Sequence, residues 1–322
     1  MERAPELHEP VLLKEVLEVL APKPGDVIVD GTLGHGGHSL AILRQLGKEG
    51  LLVGADWDPQ MLEAARKRIE AAHVQARYRL LLTDHAHLLP VLAEVLAEAG
   101  VQPAAPDGML FDLGPSNPQI LDPARGLSWE SDEALDMRLS PQNPGPSAAD
   151  IVNEWPEADL ARMIRDHSDE HWAKRIASFI AQERKKGPIR TGRQLGDVVK
   201  AAIPRKAWPP KIHPATRVFL ALRIEVNGEL ERLERILPEA FELLKPGGRL
   251  LVITFHSGED RRVKEFMKKM ATAPRPPWPL PESGEPARAR LLTPKPITAG
   301  EEELQRNPRS RSAKLRAILK QS

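Results

Sequence analysis

The sequence predicts an α/β fold in which a mostly parallel, helix-covered sheet is interrupted by an inserted all-helical domain. Three observations lead to this prediction. Short strand-like runs alternate with helical periodicity over the first 111 residues, which is typical of βαβ units. The alternation then gives way to a long helical stretch. It resumes at LKPGGRLLVITF, where a helix end and a Pro-Gly-Gly turn precede an apolar strand.

The first part of the chain contains the elements of half a sheet. β-branched and leucine-rich runs predict strands at 27–29, 51–55, 78–82 and 109–111. A helix is expected over residues 59–72, because apolar side chains recur there on one face.

The middle of the chain reads as a loop followed by helices. Pro, Gly and Ser dominate residues 117–146, and periodic apolar positions then predict helices at 156–167, 169–186, 191–204, 218–226 and 229–244, with Thr191 as an N-cap. A Pro-rich connection at 273–303 and a last strand at 313–319 complete the chain. We therefore expect a discontinuous sheet domain, residues 1–115 and 214–322, around a helical domain, residues 116–213.

Composition excludes several classes of protein. The 322 residues include no run of eighteen apolar residues and no signal-like start, so a cytoplasmic protein is expected. The absence of cysteine excludes disulfides, thiolate metal sites and cysteine nucleophiles. The histidines show no metal-ligand spacing, so we expect no catalytic metal.

Positive charge is concentrated in the predicted helical domain. The whole chain has a net charge of +1, but residues 170–223 contain 13 Lys and Arg against three Asp and Glu. This segment forms either solvated helix faces or a surface for a phosphate backbone. The cations that would hold phosphates are Lys174, Arg175, Arg184, Lys185, Lys186, Arg190 and Arg193.

The stretch DGTLGHGGHS, residues 30–39, has the composition of a ligand-binding turn. A glycine-rich bend between a strand and a helix lets backbone approach a ligand at the helix N-terminus. A carboxylate at the end of the second strand would bind ribose hydroxyls, and Asp56 holds that position, with Asp58 as the alternative. Neither GxGxxG nor GxxxxGK[ST] is present, which argues against dinucleotides and nucleoside triphosphates. The arrangement resembles motif I of the class I (Rossmann-like) S-adenosylmethionine-dependent methyltransferase fold.

A third polar segment, FDLGPSNPQ, follows the fourth strand and should face the same ligand. Its Asn117-Pro118-Gln119 partly resembles the motif of amino-group methyltransferases. An exocyclic amino nitrogen is a poor nucleophile, and acceptors aimed at its N–H groups both activate and position it. Without cysteine, the usual covalent route to carbon 5 of cytosine is closed, so nitrogen is the favoured target.

Several blocks along the chain resemble one family. HEPVLLKEV, DGTLGHGGHS, DLGPSNPQILDPARGLSW, LDMRL, HPATRVFLALRIEVN, LKPGGRLLVITFHSGEDRRVK and NPRSRSAKLRA are similar to the RsmH (MraW) family. Its members are bacterial methyltransferases acting on the exocyclic N4 of cytidine 1402 in 16S rRNA. The resemblance implies S-adenosylmethionine as cofactor and an assembled or nearly assembled small ribosomal subunit as substrate.

The resemblance also implies a set of site residues. The predicted cofactor-binding residues are Gly34, Gly36, Gly37, His38, Asp56, His85, Asp112 and Gln119. The predicted catalytic residues are Asp112, Asn117 and His256. This chain departs from the family pattern at His85, where relatives often have an aromatic residue, and at Asn117, where they have serine. Two alternatives stay open: a noncatalytic ribosome-assembly factor that binds S-adenosylmethionine, and an amino methyltransferase acting on DNA or protein.

Overall fold

The computed structural model describes residues 10–83, 85–115, 119–120, 122–139, 144–210, 212–273 and 286–321. The chain forms two compact units, Met1–Gly114 with Arg232–Ser322, and Pro115–Glu231. We call them the sheet unit and the helical unit. Each has its own apolar core.

The sheet unit is built on a single seven-stranded sheet within the described residues. Its strands are β1 (Val27–Asp30), β2 (Leu51–Asp56), β3 (Arg77–Leu82), β4 (Gly108–Asp112), β5 (Arg249–Thr254), β6 (Ala289–Leu291) and β7 (Lys314–Lys320). Their order is β3-β2-β1-β4-β5-β7-β6. The first five strands are parallel, and β7 runs antiparallel to both β5 and β6. This topology confirms the predicted class I α/β fold.

The helices pack on both faces of the sheet and form the inserted unit. They are α1 (Leu13–Leu20), α2 (Gly37–Leu46), α3 (Pro59–Ala71), α4 (His85–Glu98), α5 (Ala148–Glu154), α6 (Glu157–Ser168), α7 (Ala173–Glu183), α8 (Gly192–Ala202), α9 (Thr216–Asn227), α10 (Glu229–Leu243), α11 (Ser257–Met270) and α12 (Glu301–Arg306). No helix among the described residues is both long enough and apolar enough to cross a membrane.

Alternation along the strands fills two cores, one on each side of the sheet. Ile28 and Leu52 point to the face covered by α1 and α2. Val29 and Val53 point to the opposite face, where α4, α10 and α11 pack. Because successive strand residues face opposite sides, both faces of these central strands are apolar and buried. The polar residues are left to the strand ends.

The helical unit, formed by α5 to α9, is closed by buried polar contacts as well as by its apolar core. Thr191 caps α8 through a capping box with Gln194, as the sequence predicts. Asn227, at the end of α9, is 1% exposed, accepts from the Leu139 amide and donates to the Met137 carbonyl. These bonds tie the entry segment to the last helix of the unit.

The boundaries of some elements differ from the sequence-based expectation. The sequence places the return to the sheet domain after residue 213, whereas α9 packs in the core of the helical unit. The single helix expected over 169–186 is shorter, because Asp169 adopts a left-handed conformation that ends α6, and α7 starts only at Ala173. Helices α1, α4, α5 and α12 and strand β6 have no individual prediction from the sequence; all of them except the 14-residue α4 have eight residues or fewer, too few for a clear apolar period.

Candidate active site

The carboxyl ends of the parallel strands bring the predicted site residues to one edge of the sheet. Strands β1, β2 and β4 end at Asp30, Asp56 and Asp112. Strand β1 lies between β2 and β4, so the chain order reverses at this point. Ligands of open parallel sheets bind at such a switch point.

The glycine-rich turn is held in place by the buried carboxylate of Asp30. This group accepts from the Ser39 hydroxyl at 2.6 Å and from the Thr32 amide at 3.2 Å, so the two ends of the turn are joined. Gly34 has a φ of 49°, and a Cβ built there would meet no atom of the described residues within 4 Å. The turn is therefore fixed by Asp30, and the described part of the chain leaves the space beside Gly34 open.

Gly36 and Gly37 serve the packing of α2. Gly36 has a φ of 70°, and a Cβ on it would lie 3.1 Å from the Cβ of Ala65. A Cβ on Gly37 would lie 3.1 Å from Pro10. Both glycines therefore let the turn and the start of α2 approach neighbouring segments closely.

Asp56 connects the end of β2 to the turn. One carboxylate oxygen accepts from the Gly34 amide at 2.8 Å, and the other accepts from the Asp58 amide at 2.9 Å. Burial raises the pKa of Asp56 to about 6, although both hydrogen bonds oppose the shift. A carboxylate has about four acceptor positions, so two remain for ligand hydroxyls. Asp58, the alternative, is 1% exposed and caps α3 through the Gln60 amide.

His38 lies on the first turn of α2 and faces Asp112. Its Nε2 is 2.9 Å from the Val11 carbonyl, and its Nδ1 is 3.7 Å from Asp112 Oδ2. Burial lowers the pKa of His38 to about 4, so the ring is neutral at pH 7. Because a carbonyl can only accept, the single ring proton is on Nε2. The lone pair of Nδ1 therefore faces the Asp112 carboxyl group.

Asp112 carries a buried polar atom without a hydrogen-bond partner among the described residues. Its amide donates to the Thr32 hydroxyl at 2.6 Å, which anchors the backbone. Its Oδ1 is buried and accepts no hydrogen bond within the described part of the chain. Burial raises the pKa of Asp112 well above its usual range, and the negative charges of Asp30 and Glu259 raise it further. Such a buried acceptor costs about 1–3 kcal/mol until a donor reaches it.

The end of β5 adds His256, whose side chain is 8% exposed. Both ring nitrogens are buried and make no hydrogen bond to the residues that the structure describes, although Nε2 lies 3.2 Å from Glu259 Oε1. Glu259 accepts from the Phe255 amide at 2.8 Å. Asp260 instead pairs with Lys314 and Arg316 of β7. As expected for an N-terminal helix carboxylate, Glu259 supports the start of α11.

The remaining predicted residues are Asn117, His85 and Gln119. Asn117 and the side chain of His85 lie outside the described residues. Gln119 is 5% exposed and belongs to the helical unit. The sequence analysis missed Asp30, Thr32 and Ser39 as supporting residues. Their signal is position, because a polar residue that ends a buried strand next to a glycine turn needs hydrogen-bond partners.

The residues present fit S-adenosylmethionine. Asp56 retains free acceptor positions suited to a ribose diol, and Gly34 leaves room for backbone contact. Asp112 Oδ1, at the same edge, is a buried acceptor without a donor among the described residues, so a polar group bound beside the cofactor can donate to it. Several buried carboxyl groups at one edge also suit a ligand that carries positive charge.

Comparison with known proteins identifies the family. A model of the MraW methylase family matches residues 6–321. The Ribosomal RNA small subunit methyltransferase H of Geobacter sulfurreducens is 48% identical over 315 residues, which cover 97% of this chain and 98% of the relative. The protein of the same name from Heliobacterium modesticaldum is 44% identical over 316 residues, covering 97% of this chain and 98% of the relative.

Two of the solved structures similar to this chain share little sequence identity with it. The SAM-dependent O-methyltransferase of Thermotoga maritima is 11% identical, with a TM-score of 0.41, and the match covers 100% of this chain and 69% of that one. TrmN from Thermus thermophilus is 14% identical, with a TM-score of 0.42, covering 96% of this chain and 48% of that one.

The family match confirms the resemblance seen in the sequence. It spans almost the entire chain, including the sheet unit and the helical unit. The prediction of a methyltransferase with S-adenosylmethionine as cofactor is confirmed with it. This chain belongs to the MraW methylase family.

Proposed function

We propose that this protein methylates the exocyclic N4 of a cytidine in small-subunit rRNA, at the position, 1402 of 16S rRNA, that the family resemblance implies. The observation that carries the proposal is the buried Asp112 Oδ1, an acceptor without a donor at the end of β4. The names of the relatives, which are small-subunit rRNA methyltransferases, support the class of substrate.

In this proposal some residues at the sheet edge bind the cofactor and others bind the target amine. Gly34 and Asp56 hold the cofactor, and Asp56 binds its ribose hydroxyls. When bound, S-adenosylmethionine supplies an electrophilic methyl group. Asp112 Oδ1 accepts an N–H of the target amine, which returns electron density to N4 and fixes its position. The raised pKa of Asp112 also suits this carboxylate to take up the proton that N4 loses.

Neighbouring side chains keep the Asp112 carboxyl group in position. Thr32 fixes its backbone, and the neutral His38 ring faces its other oxygen. The buried Nδ1 of His256 has no hydrogen-bond partner among the described residues, so we assign this side chain to base binding. Asn117 stays a predicted acceptor for the amine, and His85 and Gln119 stay predicted cofactor contacts.

Phosphate binding is assigned to exposed cations of the helical unit. Three of the seven cations predicted for this role have hydrogen-bond or ion-pair partners inside the unit. Arg184 donates to the Val152 and Trp155 carbonyls, Lys186 pairs with Glu183, and Arg193 pairs with Asp132. Lys174, Arg175, Lys185 and Arg190 therefore carry more of the proposed role.

The test is mass mapping of rRNA from a strain that lacks the gene. We expect N4-methylcytidine at the decoding centre to be absent, to return with the wild-type gene, and to stay absent with Asp112→Asn. A level unchanged by the deletion would overturn the proposal. The noncatalytic assembly factor would be favoured by two results together. Asp112→Asn would restore subunit assembly in the deletion strain, and the wild-type protein would never methylate the rRNA. Methylation of DNA or protein alone by the purified protein would favour the other alternative.

A further inference from the structure

A second polar surface of the helical unit lies on the segment that follows α8. Between Asp197 and Glu225 the chain contains six Lys and Arg and no acidic residue. Three of these cations, Lys200, Arg205 and Lys206, are exposed and share this segment with one tryptophan, Trp208. We call these four residues the Trp208 platform.

The platform brings cations close to an aromatic ring. Lys200 Nζ lies 5.4 Å from the centroid of the Trp208 ring, and Arg205 Cζ lies 6.0 Å from it. Both distances are within the range of cation–π attraction. The ring is half-buried, so part of its surface remains accessible to a ligand.

The ring is held rigidly on the helical unit. Its Nε1 donates to the Ile203 carbonyl at 3.0 Å, and it packs against the core of the unit. Pro204 and Pro209 restrict the backbone on either side. The surface for a ligand that stacks on Trp208 is therefore preformed, so binding costs little conformational entropy of the chain.

The cations of the platform differ from those that stabilise the unit. Arg193 and Lys186 pair with acidic residues. Lys200, Arg205 and Lys206 form no ion pair with any described residue. Asp197 is three residues before Lys200 on α8 and does not neutralise it through an ion pair.

We propose that the Trp208 platform binds an unpaired nucleobase of the RNA substrate together with its flanking phosphates. Any of the four bases can stack on an aromatic face, and cations beside the ring bind the phosphates on either side of the stacked base. The proposal rests on the proposed function, because it names a contact surface for that RNA. An RNA duplex offers no free base face, so only the positive charges of the platform should contribute to its binding.

Charge reversal tests the phosphate contacts. The double variant Lys200→Glu/Arg205→Glu is compared with Lys23→Glu/Lys48→Glu, which changes charge equally at exposed sites in loops before β1 and β2. The probe is single-stranded RNA of about 20 nucleotides. We expect the slope of log affinity against log salt to fall by about 1.4 in the platform variant, for two lost contacts at about 0.7 each. Equal slopes in the two double variants would overturn the phosphate contacts.

Substitution of the ring tests stacking. Trp208→Leu keeps an apolar side chain against the core but removes the aromatic face, whereas Trp208→Phe retains a face; neither keeps the bond to Ile203. We expect affinity for the single strand to fall about tenfold in the leucine variant and about twofold or less in the phenylalanine variant. An RNA duplex of the same length should bind both equally. If both variants lose affinity for the single strand to the same extent and have lowered melting temperatures, Trp208 only stabilises the fold and the stacking proposal is overturned.

Methylation of small subunits separates this inference from the proposed function. If wild-type protein methylates them and the platform variants do so with unchanged KM, the platform is not a substrate contact and only this inference fails. If wild-type protein never methylates rRNA, the proposed function fails, while the RNA-binding assays still test the platform. Loss of subunit binding with unchanged binding of free RNA would assign the surface to a ribosomal protein and overturn the RNA assignment.

Discussion

Because the proposed function has Asp56 bind the ribose hydroxyls, we expect the affinity for the cofactor to depend on pH. Burial raises the pKa of this carboxyl group to about 6 in the ligand-free protein, and ribose hydroxyls that donate to it favour its ionised form. Binding is therefore strongest above the pKa and weakens as pH falls through it. At pH 5 about a tenth of the groups remain ionised, so we expect about a tenfold loss of affinity relative to pH 7.

The effect of Asp56 on folding has the opposite sign. The folded-state pKa of about 6 lies above the usual value of 3.8, so the folded protein binds this proton more tightly than the unfolded chain. The free energy of unfolding should therefore fall as pH rises from 4 to 6, with a contribution of about 3 kcal/mol from this group.

Calorimetric titration with S-adenosylhomocysteine, which is not consumed, measures the affinity. Asp56→Asn should lower it about 10- to 100-fold at pH 7.5, the worth of charge-assisted hydrogen bonds, and should remove its dependence on pH. Asp58→Asn is the matched control, because asparagine also caps α3 and leaves Asp56 in place. A flat affinity between pH 5 and 7.5 in wild-type protein, or a pH step that persists in Asp56→Asn, would refute the reasoning.

Three further substitutions test the supporting contacts. His38→Leu removes the donor to the Val11 carbonyl and should lower the free energy of unfolding, measured in urea, by about 1–3 kcal/mol. We also expect kcat to fall more in His38→Leu than in His38→Gln. Equal kcat values in the two variants would contradict a role of His38 in positioning Asp112. Gly31→Ala places a Cβ 2.3 Å from the Phe111 ring and should cost about 1–3 kcal/mol by the same assay, whereas Gly300→Ala, with nothing within 4 Å of its Cβ, serves as control. Asn227→Ala strands the Leu139 amide and the Met137 carbonyl and should cost about 2–5 kcal/mol, so an unchanged melting temperature would contradict that bonding.

The sheet and the glycine turn are predictable because their signals are local. The runs at β1, β2 and β4 are short, apolar and followed by polar residues. Parallel pairing then places their ends together, as the structure shows for Asp30, Asp56 and Asp112. The capping role of Thr191 is equally local.

What the sequence leaves open depends on contacts between distant segments. The pairing of Asp112 with His38, and of His38 with Val11, joins residues on β4, on α2 and before α1. No spacing rule connects them. The C-terminal segment is also rich in Lys and Arg, yet Lys314 and Arg316 pair with Asp260, and Lys320 donates to the Glu242 and Leu244 carbonyls. Only the tertiary structure separates cations that hold the fold from cations available to a ligand.

The position of β7 has a consequence for biosynthesis. This strand lies between β5 and β6, so residues 314–320 are the last to be translated among the strands yet occupy the interior of the sheet. A nascent chain that has not released them leaves β5 with an open edge and Asp260 without its two cations. Completion of the native sheet must therefore follow synthesis of this strand.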